Sequence, residues 1–468
     1  MKQLLLLCML STALFWACQP EDEILAGEAV RLQFEQDSIL FDTIFTTEQS
    51  ITHRFRVYNP SEKSVLIEQI ALSGGAQSPY TLYVNGQPGA AFGDQLLLAG
   101  DSLLLLLEAT LPETSDTLPY LASDELVFMN KGLRQEVAVV GYGQNALFVS
   151  DTVVACNAVW DSPLPYVIEN SLLVDSLCTL QIKKGSRLYF KPDAYLYIKG
   201  TLVAEGDSAE GERILFRNQR LDPYYENQPG QWGGLIFLPG SSGNRLSYCD
   251  IRNAEYGIYL GTPDEDAIPD LELASCRIEN TLEAGIVAYT SDLLAVNTLV
   301  NTSVQLTVAN MAGGNYTYRH CTFANYFSQR ENYPVLLLSD NVVLADGSVL
   351  TEPLQVLMEN SIVWGNITGG EELVVDNSGT ADIELEFRHN LLRTTDAAFN
   401  EKENILGSDR HLPGFRNIEL YDYRPDSLSP AIDAGVVSSI ELDLEGQSRD
   451  GQPDMGAYEY TEQAEEDE

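Results

Sequence analysis

A short pattern returns through the second half of this chain and leaves few folds open to it: a small residue, any residue, an aliphatic or aromatic, any residue, then usually Asn. It reads Cys249-Asp250-Ile251-Arg252-Asn253, Cys276-Arg277-Ile278-Glu279-Asn280, Asn297-Thr298-Leu299-Val300-Asn301 and Cys321-Thr322-Phe323-Ala324-Asn325, with weaker copies from Asn360 and Asn390. The copies start at steps of 27, 21, 24, 39 and 30 residues. Such unevenness suits loops leaving the coils of one stack, and not separate domains.

Alternate side chains of a strand share a face, so Cys249, Ile251 and Asn253 all point inward. Small Cys fits a narrow interior, Ile, Leu and Phe supply the core, and an inward Asn at a turn bonds backbone groups that burial would otherwise leave unpaired. This pattern predicts a right-handed parallel β-helix. Stacking in register would set Asp250 beside Arg277 and Arg252 beside Glu279, opposite charges on both columns. A second short strand is expected after each Asn, in Gly257-Ile258-Tyr259-Leu260, Gly285-Ile286-Val287-Ala288, Val304-Gln305-Leu306-Thr307 and Val335-Leu336-Leu337-Leu338. Gly257 and Gly285 are expected where the chain turns sharply.

Residues 1–17 combine a lysine with an apolar run and end at Ala17-Cys18, a secretory signal too short for a membrane span. Phe15-Trp16-Ala17-Cys18 resembles a bacterial lipobox, although Phe15 and Trp16 are bulkier than usual there. The resemblance implies that Cys18 is lipidated and anchors the chain in the outer membrane. An ordinary cleaved signal with an incidental Cys is the plainer alternative. Residues 18–29 form an acidic tether, and Gln19-Pro20-Glu21-Asp22-Glu23 resembles the surface-export signal of lipoproteins in the Bacteroidota, which implies a body facing outward.

The 69 acidic against 27 basic residues give a formal charge of −42. Nucleic acid, which demands a basic face, is excluded as a general partner. Such a charge serves solubility or the binding of divalent cations, Ca²⁺ being the one possible cofactor. The loop Asp264-Glu265-Asp266 with Asp270 is the place for Ca²⁺, but it lacks the spacing of an EF-hand. Cys249, Cys276 and Cys321 share a rung position and read as buried small residues. Cys156 and Cys178, 22 residues apart, could stack or bridge. No C-x-x-C spacing occurs, and His53, His320, His389 and His411 are scattered, which speaks against a zinc enzyme.

Residues 30–147 show seven or more short alternating stretches separated by turn signals such as Asn59-Pro60-Ser61 and Asn85-Gly86, the pattern of an immunoglobulin-like β-sandwich without a disulfide. The β-helix is expected over residues 150–435, with Trp232-Gly233-Gly234 giving tight backbone packing under an aromatic plug. Residues 436–460 are expected to cap its open end, since a last strand would otherwise expose its pairing edge. Residues 461–468 are an acidic tail.

Several stretches resemble exported β-helix proteins of the pectin-lyase-like fold: Trp160 to Ile168, Gly200-Thr201-Leu202, Arg220-Leu221-Asp222 through Trp232-Gly233, and Arg319-His320-Cys321-Thr322-Phe323. The ending Asp454-Met455-Gly456-Ala457-Tyr458-Glu459 resembles the one called choice-of-anchor Q. The resemblance implies a cell-surface lipoprotein and supplies no reaction, because fold alone does not carry function.

A polysaccharide lyase on this fold needs a base and a cation to neutralise a uronate carboxylate. Basic residues concentrate at Lys183, Lys184, Arg187, Lys191 and Lys199, continuing to Arg213, Arg217 and Arg220, with only five acidic residues between 181 and 220. This island is the candidate ligand-binding site for a polyanionic glycan. The plainer reading is a solvated face whose stems cover apolar surface. Asp250 and Glu279 would suit a hydrolase pair, but their arginine neighbours favour a ladder of ion pairs. The first expectation is therefore a non-catalytic surface protein binding glycans, other proteins or surfaces; the alternative is a polysaccharide-active enzyme, a lyase before a hydrolase. The longest step, from Cys321 to Asn360, is where a binding surface is expected.

Overall fold

The structure is a computed structural model that describes residues 28–150, 152–262 and 268–462. Cys18, the tether up to residue 27, the Asp264-Glu265-Asp266 loop and most of the tail lie outside the described residues. The chain is all-β: strands and three single turns of 3₁₀ helix account for its regular structure. None of its described helices is long and apolar enough to cross a membrane. It divides into two units at Asn145 and Ala146.

The first unit holds two five-stranded sheets whose inner faces share one core. Its leucine run shows why: in Ser102–Ala109, Leu105, Leu107 and Ala109 are fully buried while Leu104 faces out, the period of two that a half-buried strand requires. Pairing is antiparallel except between Ser38–Phe45 and Leu133–Gln144, which run parallel.

The second unit is built from an eleven-stranded and a sixteen-stranded sheet whose neighbours pair in parallel and which curl around one core. One coil runs through Tyr195–Ile198, Thr201–Glu205 and Ile214–Asn218 to Trp232–Phe237, which pairs with the first strand in parallel. Leu188, Phe216, Ile251, Ile278, Val300, Phe323, Val363 and Leu392 stack in register along the inside, all at 0% exposure. Each such burial stabilises by about 1.5–3 kcal/mol. Trp232 is the expected plug, stacked on Phe190 at 4.1 Å and donating its indole N–H to the Arg252 carbonyl.

The pairing of Asp250 with Arg277 and of Arg252 with Glu279 is as the rung pattern predicts. The phase of two copies is not. Ile278 pairs with Val300, not Leu299, and Phe323 with Val363, so Thr298 and Ser361, not Asn297 and Asn360, stand in line with the cysteines. Cys249, Cys276, Thr298, Cys321, Ser361 and Asn390 form that inner column, every one fully buried and the three cysteines free. A slip of one residue turns Leu299 and Asn301 outward, because the side-chain period is two.

Two further expectations change. The strand expected at Val304 begins at Leu306, and Val308 is the residue that meets Ile286. Gly257 and Gly285 sit inside strands, not at sharp turns. A Cβ on Gly257 would lie 2.4 Å from Ile278 Cγ2 and 2.5 Å from the Gly285 carbonyl oxygen. Gly257 is the extra residue of a bulge where the register shifts against Gly234 and Leu235. Gly257→Ala should therefore destabilise by about 1–3 kcal/mol as overpacking. An unstrained Gly→Ala would instead stabilise by about 0.4–1 kcal/mol, so the sign of the shift in urea midpoint decides.

The C-terminal segment is not an end cap. Phe399 packs on Phe387 at 5.0 Å and joins the core at the last coils. Residues 434–460 lie as a strap across the outer face of the eleven-stranded sheet. Met455, Ala457 and Tyr458 bury Leu299, Ala324, Ile362 and Trp364 there. Its pegs are corner residues just before the rungs: Asn297, His320, Asn360 and His389 all have φ between 47° and 52°. Asn360 accepts from Val436 N and donates to Val436 O, Asn297 donates to Leu442 O, and His320 and His389 meet Ser438 and Ala434. Asn tolerates this left-handed conformation better than most residues, which accounts for Asn297 and Asn360 at these corners. Cys156 and Cys178, left open by their spacing, form a disulfide with Cα atoms 4.7 Å apart.

Candidate functional site

The five basic residues singled out in the sequence do not converge. Lys183 and Lys184 sit at the corner between Thr179–Lys183 and Arg187–Phe190, Arg187 opens the second of these strands, Lys191 follows it, and Lys199 follows Tyr195–Ile198. They occupy three corners of one coil. Lys184 Nζ lies 2.6 Å from Glu212 and 3.5 Å from Asp207, and Lys191 Nζ lies 2.8 Å from Glu169. Arg187 donates to the Pro163 carbonyl, Lys183 stands in register with Glu205, and Lys199 is exposed.

Asp250 and Glu279 belong to an ion ladder. Arg213 lies 2.8 Å and Arg277 3.9 Å from Asp250, Arg252 lies 3.3 Å from Glu279, and Arg277 reaches Glu445 of the strap at 2.9 Å. A groove of about 400 Å³ beside them is lined by Arg187, Arg213, Arg277, Asp250 and Glu445, its charges largely neutralised. Asp270 accepts from the Asp292 amide, and no group of three or more His, Cys, Asp or Glu among the described residues is placed to hold a metal ion. The long step after Cys321 is taken up by the strand Leu336–Ser339 and an antiparallel hairpin from Asn341–Val343 to Val349–Thr351, on which Val343 and Val349 are exposed.

A different surface has the makings of a site. On the outer face of the sixteen-stranded sheet, Tyr197, Ile236, Tyr259, Val287 and Ala309 follow one another in register. Tyr195 and Tyr197 stack at 5.5 Å, and Tyr259 meets Tyr256 at 5.7 Å and Tyr289 at 5.5 Å. Val287 and Ala309 are buried as its floor, while the five rings remain partly exposed. Gly233 makes room for the bed, since a Cβ there would lie 2.2 Å from the Tyr195 ring.

Two carboxylates border it. The pairing of Tyr256 with Ala284 sets Glu255 beside Glu283 on the next coil. Tyr195 donates to Glu255 at 2.6 Å, a bond that with burial pushes the phenol well up. Burial first, then Glu255 and Glu331, hold the Glu283 carboxyl above its usual range. Aromatic faces offer apolar contact to the C–H face of a pyranose, and carboxylates accept from its hydroxyls. The alternation in Gly257-Ile258-Tyr259-Leu260 already turns Tyr259 outward; its neighbours on other coils depend on loop lengths that spacing alone does not give.

Compared with known proteins, the chain matches no family profile and no curated relative. Among solved structures it has a partial likeness to the ASH/PapD-like domain 7 of human CEP192, 14% identical over 28% of this chain and 94% of that one, with a TM-score of 0.17. A second partial likeness is to a family 123 glycoside hydrolase from Clostridium perfringens, studied for glycolipid glycan hydrolysis. It is 7% identical over 27% of each chain, with a TM-score of 0.19. Scores this low carry no argument about fold or activity.

Proposed function

We propose that this protein is a lipid-anchored, cell-surface binding protein in which an immunoglobulin-like sandwich precedes a right-handed parallel β-helix, and that the β-helix holds a glycan on its tyrosine bed. The two five-stranded sheets around one core support the sandwich, and coil-by-coil parallel pairing supports the β-helix. The lipobox-like Phe15-Trp16-Ala17-Cys18 supports the anchor, and the Cys156–Cys178 disulfide agrees with an oxidising compartment. The observation that carries the binding reading is the bed itself, five partly exposed tyrosines on three of four successive coils with Glu255 and Glu283 at their edge.

A second reading, cleavage of the bound polysaccharide, draws on the Glu255 and Glu283 pair. That pair suits a hydrolase better than a lyase, since two carboxylates stand side by side and burial, Glu255 and Glu331 hold Glu283 toward its protonated form. One experiment separates the readings. In affinity electrophoresis, the full chain should be retarded by a neutral polysaccharide, and Tyr259→Ala should weaken this about two- to tenfold, as loss of ~0.5–1.5 kcal/mol of ring contact implies. The polysaccharide should be recovered at its original length. Shortened chains would favour the second reading, and retardation unchanged by Tyr259→Ala would remove the bed from both.

A further inference from the structure

The outer face of the eleven-stranded sheet carries an arrangement that neither the ion ladder nor the tyrosine bed accounts for. Phe216 pairs with Ile251, which sets Arg217 beside Arg252 on the next coil. Like charges side by side on neighbouring strands repel, and they do so here in a chain of net charge −42 that has carboxylates in excess. Arg252 has Glu279 at 3.3 Å, but Arg217 makes no ion pair within 4 Å among the described residues. Its one hydrogen bond, to the Arg220 carbonyl, is 3.5 Å long.

The Arg217 Nε is buried without a hydrogen-bond acceptor, whereas the Arg252 Nε is the atom that faces the Glu279 carboxylate at 3.3 Å. Burial depresses Arg217, Tyr189 opposes this, and the Arg252 guanidinium adds to it against the smaller pull of Glu226. The pair stays reachable, with Arg252 30% exposed and Arg217 partly so. Arg220, held by Asp222 at 2.9 Å and stacked over Tyr225 at 4.0 Å, flanks it on the loop that follows. An arginine stem that merely covers apolar surface would leave its head in water, not an Nε buried and unbonded as in Arg217.

We infer that Arg217 and Arg252 form a seat for an oxyanion, a sulfate, phosphate or carboxylate group whose oxygens take up the unbonded Arg217 Nε donor and relieve the repulsion between the two guanidinium groups. The planar fork of each guanidinium matches two oxygens of such a group. The seat is independent of the tyrosine bed, which lies on another sheet and carries the opposite charge.

The test is thermal unfolding of the full chain in chloride buffer, with sodium sulfate, inorganic phosphate or acetate added at matched ionic strength. At least one should raise Tm saturably, by about 2 °C at ten times its dissociation constant. Arg217→Gln and Arg252→Gln should abolish the rise, and Arg217→Lys should weaken it by keeping charge without the fork. In chloride buffer without added oxyanion, Arg217→Gln should melt no lower than the parent. A sulfated monosaccharide that saturates at lower concentration than sulfate would mark a group carried on a glycan; the reverse order would mark a free ion. No rise above the chloride control, or an equal rise in Arg217→Gln, would overturn the inference.

Discussion

Glu372→Ala is expected to lower the stability of the second unit by about 3–5 kcal/mol, because it leaves two guanidinium groups buried without their counter-charge. Glu372 is fully buried. Arg330 grips it with both terminal nitrogens, at 3.1 Å and 3.0 Å, and Arg393 adds a third bond at 3.1 Å. The Ile367 amide donates to the same carboxylate at 2.8 Å. Gly365 leaves space for the cluster, since a Cβ there would lie 2.4 Å from a Glu372 oxygen. The arginines also bond the carbonyls of Asn325 and Ile367, so one carboxylate ties together loops of three successive coils. Glu372→Gln keeps an acceptor for Ile367 and should cost less than alanine. A shift below about 1 kcal/mol for the alanine variant, the range of exposed pairs, would show that the cluster is not closed to water.

The second large effect is on pH. Burial, then Arg449 and to a lesser degree Arg319, push His320 down to about 3. Its Nε2 faces the Asn360 amide nitrogen at 2.9 Å and the Ser438 hydroxyl at 3.3 Å. The unfolded chain takes up a proton near pH 6.5, and the folded chain refuses it until about 3. The stabilisation from a neutral His320 is thus fully present above 6.5. It is lost as pH falls toward 3, with a slope of up to about 1.4 kcal/mol per pH unit. Asp454, raised to about 6 chiefly by burial, acts the other way, since between its ordinary value and 6 the folded state is the one that binds the proton. The measurement is therefore a difference: stability from pH 7 to 4 for the parent and for His320→Asn. Asn suits the positive φ, as Asn297 and Asn360 show at equivalent corners. The variant should lose less stability on acidification, and parallel curves would show that His320 takes no part.

The inner column and the ion ladder were legible in the sequence because both depend only on alternation along a strand and on copies that keep the same phase. Cys249, Ile251, Cys276 and Ile278 needed nothing else. The copy at Asn297 misled because Leu299 and Val300 are both apolar and both buried, one under the strap and one in the core. Residue type cannot separate those two sides, and a shift of one residue exchanges them. The C-terminal segment was legible as a covering element but not in its place, since Met455 and Ala457 do not declare whether they cover an end or a face. The basic island was a neighbourhood in sequence only: three corners of a coil turn Lys184, Lys191 and Lys199 apart.

By itself, the sequence determined the all-β character, the parallel stacking of the second half and the residues at its centre, because those follow from a period of two repeated coil after coil. The tertiary structure alone decided which outward residues meet. Tyr259 reaches Tyr289, Arg217 reaches Arg252 and Arg330 reaches Glu372 across coils whose lengths differ, and a neighbour one strand away can lie dozens of residues along the chain. Local alternation sets the side of the sheet on which a residue points, whereas loop length sets what stands next to it.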